Sequence, residues 1–281
     1  PPYSILSHTW GDEEVIFNDM VNLKSARRKS GWKKVQYMCQ QTIKDRLGWA
    51  WIDTCCIDKS SSAELSEAIN SMFRWYQEAT VCHVDMSSSP DGSGRSLDVN
   101  ASFARSRWWR RGWTLQELIA PSNVVFWDPC WNCFGPLVNL VHLISDFTGI
   151  EQDMLLRVKS YREICVGKRL SWAAERETTR IEDVAYSLLG ILDVNMPNLY
   201  GEGQRAFRRL QEEFMRTSTD LSILAWSPII ATSETGALAS GPQDFAFWAK
   251  LPTTDSVYPS KPVELTNAGL RMELPCVPVR D

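Results

Sequence analysis

Four short apolar runs separated by helical patterns constrain the fold more than any other feature of this chain. Tyr3-Ser-Ile-Leu-Ser7 reads as a first buried strand, and Val35, Met38, Cys39, Thr42, Ile43 and Leu47 then recur at helical spacing. Trp49 to Asp53 reads as a second strand. Ser62 is placed to cap a helix that carries Leu65, Ala68, Ile69, Met72, Phe73 and Tyr76 on one face, and Thr80 to Asp85 reads as a third strand. The polar, Gly- and Ser-rich stretch Ser87 to Ser102 reads as a loop. A Trp-rich helix follows, and Val124 to Trp127 supplies the fourth strand. Strand, helix, strand, helix, strand, helix, strand predicts an α/β fold with a mostly parallel sheet flanked by helices on both faces.

From about residue 135 the pattern turns helical. Leu137 to Phe147 has helical character, and Ile181, Val184, Ala185, Leu188, Leu189 and Leu192 form an apolar stripe that Thr179 and Glu182 would open as a capping box. Gly201 and Gly203 precede another helix carrying Phe207, Leu210 and Phe214. The Gly201-Glu-Gly203 turn reads as a helix entry, with phosphate binding as the alternative. Beyond Asp220 come short β-like runs broken by Pro and Gly, so the tail from Ser227 is expected to be a loosely strand-forming appendage.

A net charge of −4 gives no footprint for non-specific nucleic-acid binding, and no apolar run approaches the ~18 residues that cross a bilayer. The chain begins at Pro1 with no basic-then-apolar leader, which suits a domain taken from a longer protein in the cytoplasm. The eight cysteines do not force a disulfide framework, because Cys39, Cys55, Cys82 and Cys165 sit inside apolar patterns where free Cys packs as a small hydrophobe. Cys130 and Cys133 have the spacing of half a zinc site, but no second pair follows and no metal is expected. A Cys-His protease would draw on Cys55 or Cys56 with His8 or His83, and nothing beyond the residue types supports it.

Four blocks carry a family resemblance. Leu6-Ser-His-Thr-Trp-Gly11, Trp51-Ile-Asp-Thr-Cys-Cys-Ile-Asp58, Arg111-Gly-Trp-Thr-Leu-Gln-Glu117 and Tyr186-Ser-Leu-Leu-Gly190 with Tyr200-Gly-Glu-Gly203 resemble, in order, the blocks of the fungal heterokaryon incompatibility (HET) domain. The resemblance covers roughly residues 3 to 226. It implies residues 1–226 as the HET domain, with a core over about 1–130, a helical elaboration over about 131–226, and a C-terminal extension over 227–281. Even Asp220-Leu-Ser-Ile-Leu-Ala-Trp226 with Gly236-Ala-Leu-Ala239 resembles the segment common after this domain in large fungal proteins. The resemblance implies a programmed-cell-death effector that acts when genetically different hyphae fuse, attached to other domains of a longer chain.

Trp113-Thr-Leu-Gln-Glu117-Leu is in turn similar to the Trp-Cys-x-x-Glu-Leu helix of Toll/interleukin-1 receptor (TIR) domains, and Ile52-Asp53 resembles that family's second-strand end. This implies a TIR-like, flavodoxin-like core. It also implies that Glu117 supports cleavage of the nicotinamide–ribose bond of NAD, with NAD as substrate rather than cofactor. Arg111 stands where TIR helices usually carry serine, and the Trp108-Trp109-Arg110-Arg111 run has no TIR counterpart, so the residue-by-residue match rests on Trp113 and Glu117.

Chemistry gives Glu117 a role on its own account. Breaking an N-glycosidic bond passes through an oxocarbenium-like ribose that a carboxylate beneath the sugar would stabilise, and nicotinamide leaves neutral. Arg107 and Arg111 are candidates for the diphosphate, and Trp10 or Trp113 for stacking. The loop Ser7-His8-Thr-Trp10-Gly11-Asp12 ends the first strand where ligands bind in open α/β sheets, and Asp53 ends the second. Gly11 would let the backbone approach a phosphate. Against this, Thr114 with Glu117 is itself a capping-box pattern, Asp53 is a common turn residue, and Trp108, Trp109 and Trp113 suit core packing. His8 could equally be a hydrogen-bonded structural histidine. The NAD-cleaving effector is expected to be activated by self-association into a homo-oligomer; the alternative function is a non-catalytic death-signalling module that self-associates and recruits partners through a Trp- and Arg-rich surface.

Overall fold

Alternate residues of the first strand enter two different cores. The computed structural model describes residues 1–86, 103–228, 236–252, 263–267 and 269–273; the predicted loop Ser87 to Ser102 lies outside the described residues, as do parts of the tail. In β1 (Ser4–His8), Ile5 packs with Tyr76, Cys82, Val84, Val124 and Phe126, whereas Leu6 packs with Val15, Val35, Met38 and Ile52. Both are fully buried, and a strand covered on both faces must read as a continuous apolar run rather than an alternating one.

Helix α1 (Trp32–Lys44) covers the Leu6 face, β2 (Ala50–Ile52) follows, and helix α2 (Ser62–Glu78) crosses back over the Ile5 face to β3 (Val81–Asp85). The short helix α3 (Thr114–Ile119) then leads to β4 (Val124–Trp127), and β5 (Cys133–Pro136) returns antiparallel beside it. The order is β2-β1-β3-β4-β5, with β2, β1, β3 and β4 parallel: Ile5 lies opposite both Trp51 and Cys82, and Phe126 opposite Val84. This is a flavodoxin-like arrangement. The chain moves outward from β1 to β2 and returns to β3 on the other side of β1. The crossovers therefore diverge between β1 and β3, and the carboxyl ends of these strands are where ligands bind in open sheets of this kind.

Several local expectations shift. In α1 the buried residues are Val35, Met38, Gln41 and Thr42, while Cys39 is exposed and Ile43 is 73% exposed. The stripe is rotated because the buried face includes two polar residues, and Thr42 is accommodated there by hydrogen bonds with Ser4 Oγ (2.6 Å) and the Met38 carbonyl (2.8 Å). Ser61 rather than Ser62 caps α2, its hydroxyl accepting from the Glu64 amide.

The helical part begins with α4 (Leu137–Thr148), closed by Gly149 at φ 68°, and continues through α5 (Val166–Ser171) to α6 (Arg205–Thr217). The stripe expected as one helix forms two single turns, Asp183–Tyr186 and Leu189–Leu192, and Ile181 lies exposed before them. Glu182 does not close a capping box with Thr179. Its Oε1 accepts the amides of Gly201 (2.8 Å) and Gly203 (3.1 Å), and these bonds together with one from its own amide hold its carboxyl below the ordinary range. The turn weighed as a phosphate cradle is thus filled by a carboxylate of the same chain.

The tail is more firmly seated than its composition suggests. Pro242–Lys250 forms a 3-10 helix against α5, and Phe245 is fully buried. Lys168, itself buried, donates to the carbonyls of Trp248, Ala249 and Leu251, each at 3.0 Å, and so gathers the helix's last acceptors around one cation. A β-like element does come after it, as an antiparallel pair β6 (Glu264–Thr266) and β7 (Gly269–Arg271).

Candidate active site

Ser7 is the hub. As the penultimate residue of β1 it is fully buried, its hydroxyl accepts the indole N–H of Trp108 at 2.7 Å, and it donates in turn to the carboxylate of Glu117. Trp108 is held there by the 3-10 turn Arg107–Arg110, which the Ser106 hydroxyl caps. Its ring packs edge-on against Trp109 and Phe126 in the core, as the packing alternative for these tryptophans supposed. Glu117 therefore does not fold back on its own helix end. Thr114 is the first residue of α3 and its hydroxyl bonds the Trp108 and Arg111 carbonyls, so the capping box is not formed.

The environment of Glu117 is unusual for a carboxylate. Burial pushes its pKa up from 4.5 to about 7, against the Ser7 hydrogen bond; the Asp53 charge adds to the rise, and His8 and Arg111 oppose it. The Tyr76 hydroxyl, which donates to the Leu6 carbonyl at 3.1 Å, is driven far above its ordinary range by burial and by the neighbouring Glu117 charge. A buried carboxyl that titrates near neutrality at the end of a parallel strand is of the kind found where proton transfer or cation stabilisation is carried out.

Next along β1, His8 Nε2 meets Asp53 Oδ1 at 3.0 Å, and Trp10 Nε1 donates to Asp53 Oδ2 at 2.9 Å. Asp53, the first residue of a single helical turn (Asp53–Cys56) after β2, is held at about 2. Burial opposes that fall; the His8 hydrogen bond and charge, then Lys59 and Trp10, bring it about. Lys59 Nζ lies 3.5 Å from Asp53 Oδ2 and 3.3 Å from the centre of the Trp10 ring. On the other side of His8, Lys34 Nζ contacts His8 Nδ1 (3.3 Å), the Thr9 carbonyl (2.9 Å) and the Glu14 carboxylate.

Of the residues singled out in sequence, Ser7 with Glu117 and His8 with Asp53 and Trp10 thus form two adjoining groups at the end of β1, coupled through the effect of the Asp53 and His8 charges on Glu117. Gly11 and Asp12 continue the same loop and are exposed, but the Gly11 amide is taken by Glu14 Oε1 at 2.8 Å rather than left for a phosphate. Arg111 flanks Glu117 closely enough to favour its charged form. Arg107 is exposed on its 3-10 turn and, among the described residues, bonds to none of the cluster. Trp113 turns to the helical part, where its indole N–H donates to Asp183 Oδ2 at 3.3 Å.

Lys34, Lys59, Glu14 and Arg176 were not singled out. Lys59 directly follows the Trp51–Asp58 block, the one signal that could have found it. Arg176 steadies the start of α3 through the Arg111 carbonyl and the Thr114 hydroxyl, both at 2.9 Å. Among the described residues, neither Cys55 nor His83 is free for a Cys-His pair. Cys55 is buried, bonds the Val15 carbonyl and is pushed up to about 11, while His83 is committed to Asp45 (2.8 Å) and Trp127 (3.1 Å). Among the described residues no cluster of His, Cys, Asp and Glu could hold a metal ion, and no helix is long and apolar enough to cross a membrane.

Sheet order and side-chain cluster together define an α/β domain with a buried carboxylate, Glu117, hydrogen-bonded to the end of β1 beside the switch point. Comparison supplies the family: the sequence model of the heterokaryon incompatibility protein (HET) family matches residues 3–101, and a domain of unknown function (DUF8212) matches residues 205–269. The vegetative incompatibility protein HET-E-1 of Podospora anserina is 44% identical over 219 residues, which is 76% of this chain and 16% of that protein. The chain belongs to the HET family. It spans under a fifth of that relative's length, and the relative is a much longer protein. The match over residues 205–269 runs across the boundary placed after residue 226, in keeping with the docked tail. No solved structure matches the chain.

Proposed function

We propose that this chain is the effector domain of a heterokaryon incompatibility protein, acting in the cytoplasm by hydrolysing NAD at the nicotinamide–ribose bond and activated by self-association. The family supports the biological role. The TIR-like reading of the Trp113–Leu118 stretch supports the reaction, and one observation carries it: Glu117 is bonded to Ser7 at the end of β1, within electrostatic reach of His8 and Asp53, with a pKa of about 7. In its charged form this carboxylate would stabilise the oxocarbenium-like ribose as nicotinamide departs, and water would then complete hydrolysis. His8 would stay fixed by Asp53 and Lys34, so its part is to shape the site's charge.

The alternative, a non-catalytic module that recruits partners, draws on a different observation. Ile16, Phe17, Met20, Val21 and Leu23 are all exposed, Val21 by 90%, on the segment after the β1 loop. Such a run suits contact between copies or with a partner, and it supports self-association under either reading.

The deciding experiment incubates the chain with NAD at low and high protein concentration and follows nicotinamide release for the native protein and for Glu117→Gln. Release that rises steeply with concentration and vanishes in folded Glu117→Gln supports an assembly-activated hydrolase. Release that is absent from concentrated, visibly assembled protein overturns the catalytic reading and leaves the recruiting module.

A further inference from the structure

The ring of Trp10 has a cation lying on it. Its indole N–H is fixed to Asp53 Oδ2 at 2.9 Å, which sets the ring plane, and Lys59 Nζ rests 3.3 Å from the ring centre. Trp10 is 43% exposed, so it stands as a platform after the end of β1 with Lys59 covering one face. A base stacked on that face would occupy the space the ammonium now fills, so ring and Lys59 cannot share it.

Lys59 is also poorly served by its anion. Asp53 already meets His8 at 3.0 Å through Oδ1 and Trp10 at 2.9 Å through Oδ2, and the Lys59 contact to Oδ2 is longer, at 3.5 Å. An ammonium has three donors, and here its nearest partners are a ring face and one shared carboxylate oxygen. Of the two arginines expected to meet a diphosphate, Arg107 bonds to none of the cluster among the described residues, and the charge of Arg111 acts on Glu117, whereas Lys59 lies directly on the Trp10 ring.

We propose that Trp10 and Lys59 form an exchangeable nucleotide-recognition pair: a nucleoside diphosphate displaces Lys59 from the Trp10 face, its base takes that face, and Lys59 swings onto its phosphates. Lys suits the swap because its charge rides on a flexible four-carbon stem. The exchange couples the two halves of the ligand. The base must displace a cation to bind, and only a ligand carrying phosphate gives that cation a stronger partner. Adenosine would bind weakly, and ADP well. This deepens the NAD reading by naming the group that holds the dinucleotide's diphosphate, and it rests on that reading only for the identity of the substrate.

The test is binding rather than turnover. ADP and adenosine are titrated by calorimetry into the native chain, Lys59→Ala, Lys59→Arg and Trp10→Ala, each checked for folding by circular dichroism. The native chain is expected to bind ADP at least about tenfold more tightly than adenosine, as a desolvated ion pair warrants. Lys59→Ala should weaken ADP yet bind adenosine more tightly, by roughly 2- to 30-fold, since the ring face is uncovered. Lys59→Arg should keep the preference for ADP, and Trp10→Ala should weaken both ligands. Opposite shifts in one folded variant cannot come from general damage. No ADP binding by the native chain overturns the proposal, as does a Lys59→Ala variant whose two affinities stay level or fall together. Nicotinamide release is scored separately. ADP binding without NAD cleavage by concentrated, assembled protein sinks the catalytic reading alone, and cleavage with Lys59-independent ADP binding sinks this one alone.

Discussion

The hydroxyl of Ser7 donates to the carboxylate of Glu117, joining positions 110 residues apart. Ser7 also takes the Trp108 indole N–H, so one side chain on β1 fixes both the Trp-rich turn and the acid that follows it. The bond favours the charged form of a group that burial would keep neutral, and the balance falls at about 7. Small changes around this contact should therefore be read out as shifts in pH dependence.

If Glu117 acts as a carboxylate, NAD cleavage requires it deprotonated, so the rate should climb as pH rises through about 7 and level off above. Glu117→Gln should lower kcat at least about 100-fold. Ser7→Ala removes a bond that lowers the Glu117 pKa, so the midpoint of the profile should move to higher pH. A profile that falls through 7 would mean that the protonated acid is the working form.

Stability should show the same group with its own sign. The folded pKa of about 7 lies above the ordinary 4.5, so the folded chain holds a proton that the unfolded chain has released. The stabilisation is complete below about 4.5, declines as pH rises from there to about 7, and is lost beyond. Glu117→Gln should flatten that slope and unfold later than the native chain at pH 8, by up to about 3 kcal/mol. Urea midpoints at pH 5 and pH 8 measure it.

Asp53 runs the other way. Its folded pKa of about 2 is below the ordinary 3.8, so its contribution is present above about 3.8 and lost as pH falls towards 2. Asp53→Asn should cost up to about 2 kcal/mol at neutral pH and less in acid. A deficit that is the same at pH 7 and pH 3 would show that the His8 and Lys59 contacts carry no charge-dependent energy.

Gly167 reports on the docked tail. A Cβ there would lie 2.6 Å from the Trp248 ring, so Gly167→Ala should push the 3-10 helix away from α5 at a cost of about 1–3 kcal/mol. Proteolysis after residue 226 should accelerate in this variant while cleavage within the sheet does not. Equal protection of native and variant chains would show that the tail is held by other contacts.

The parallel sheet was legible because strands buried on both faces leave unbroken apolar runs such as Tyr3–Ser7, and β4 was found at its true bounds, Val124–Trp127. Strand β5 was missed: Cys133-Phe-Gly-Pro136 contains the two residues least suited to strand interiors, with Gly135 at φ 138°, and is permitted only at an edge. Strand-end residues of the site were readable because the ends of parallel strands are where ligands bind. Lys34 and Arg176 were not, since what brings them to the site is the rotation of helices and turns against the sheet, which a linear pattern does not record. The two readings of Glu117 could not be separated in sequence, because Thr114 and Glu117 have capping-box spacing whether or not the box forms. Only the distant Ser7 decides between them.

The sheet's two borders carry a consequence for how copies can meet. One border is β2, three residues long; the other is β5, whose last residue, Pro136, has no N–H to give. Neither offers a useful row of free backbone donors and acceptors, so strand-by-strand growth of one sheet into the next is disfavoured at both ends. Any contact between copies would then be made through side chains. Contacts of that kind come apart on dilution, so an assembly built from them would be reversible rather than fibrous.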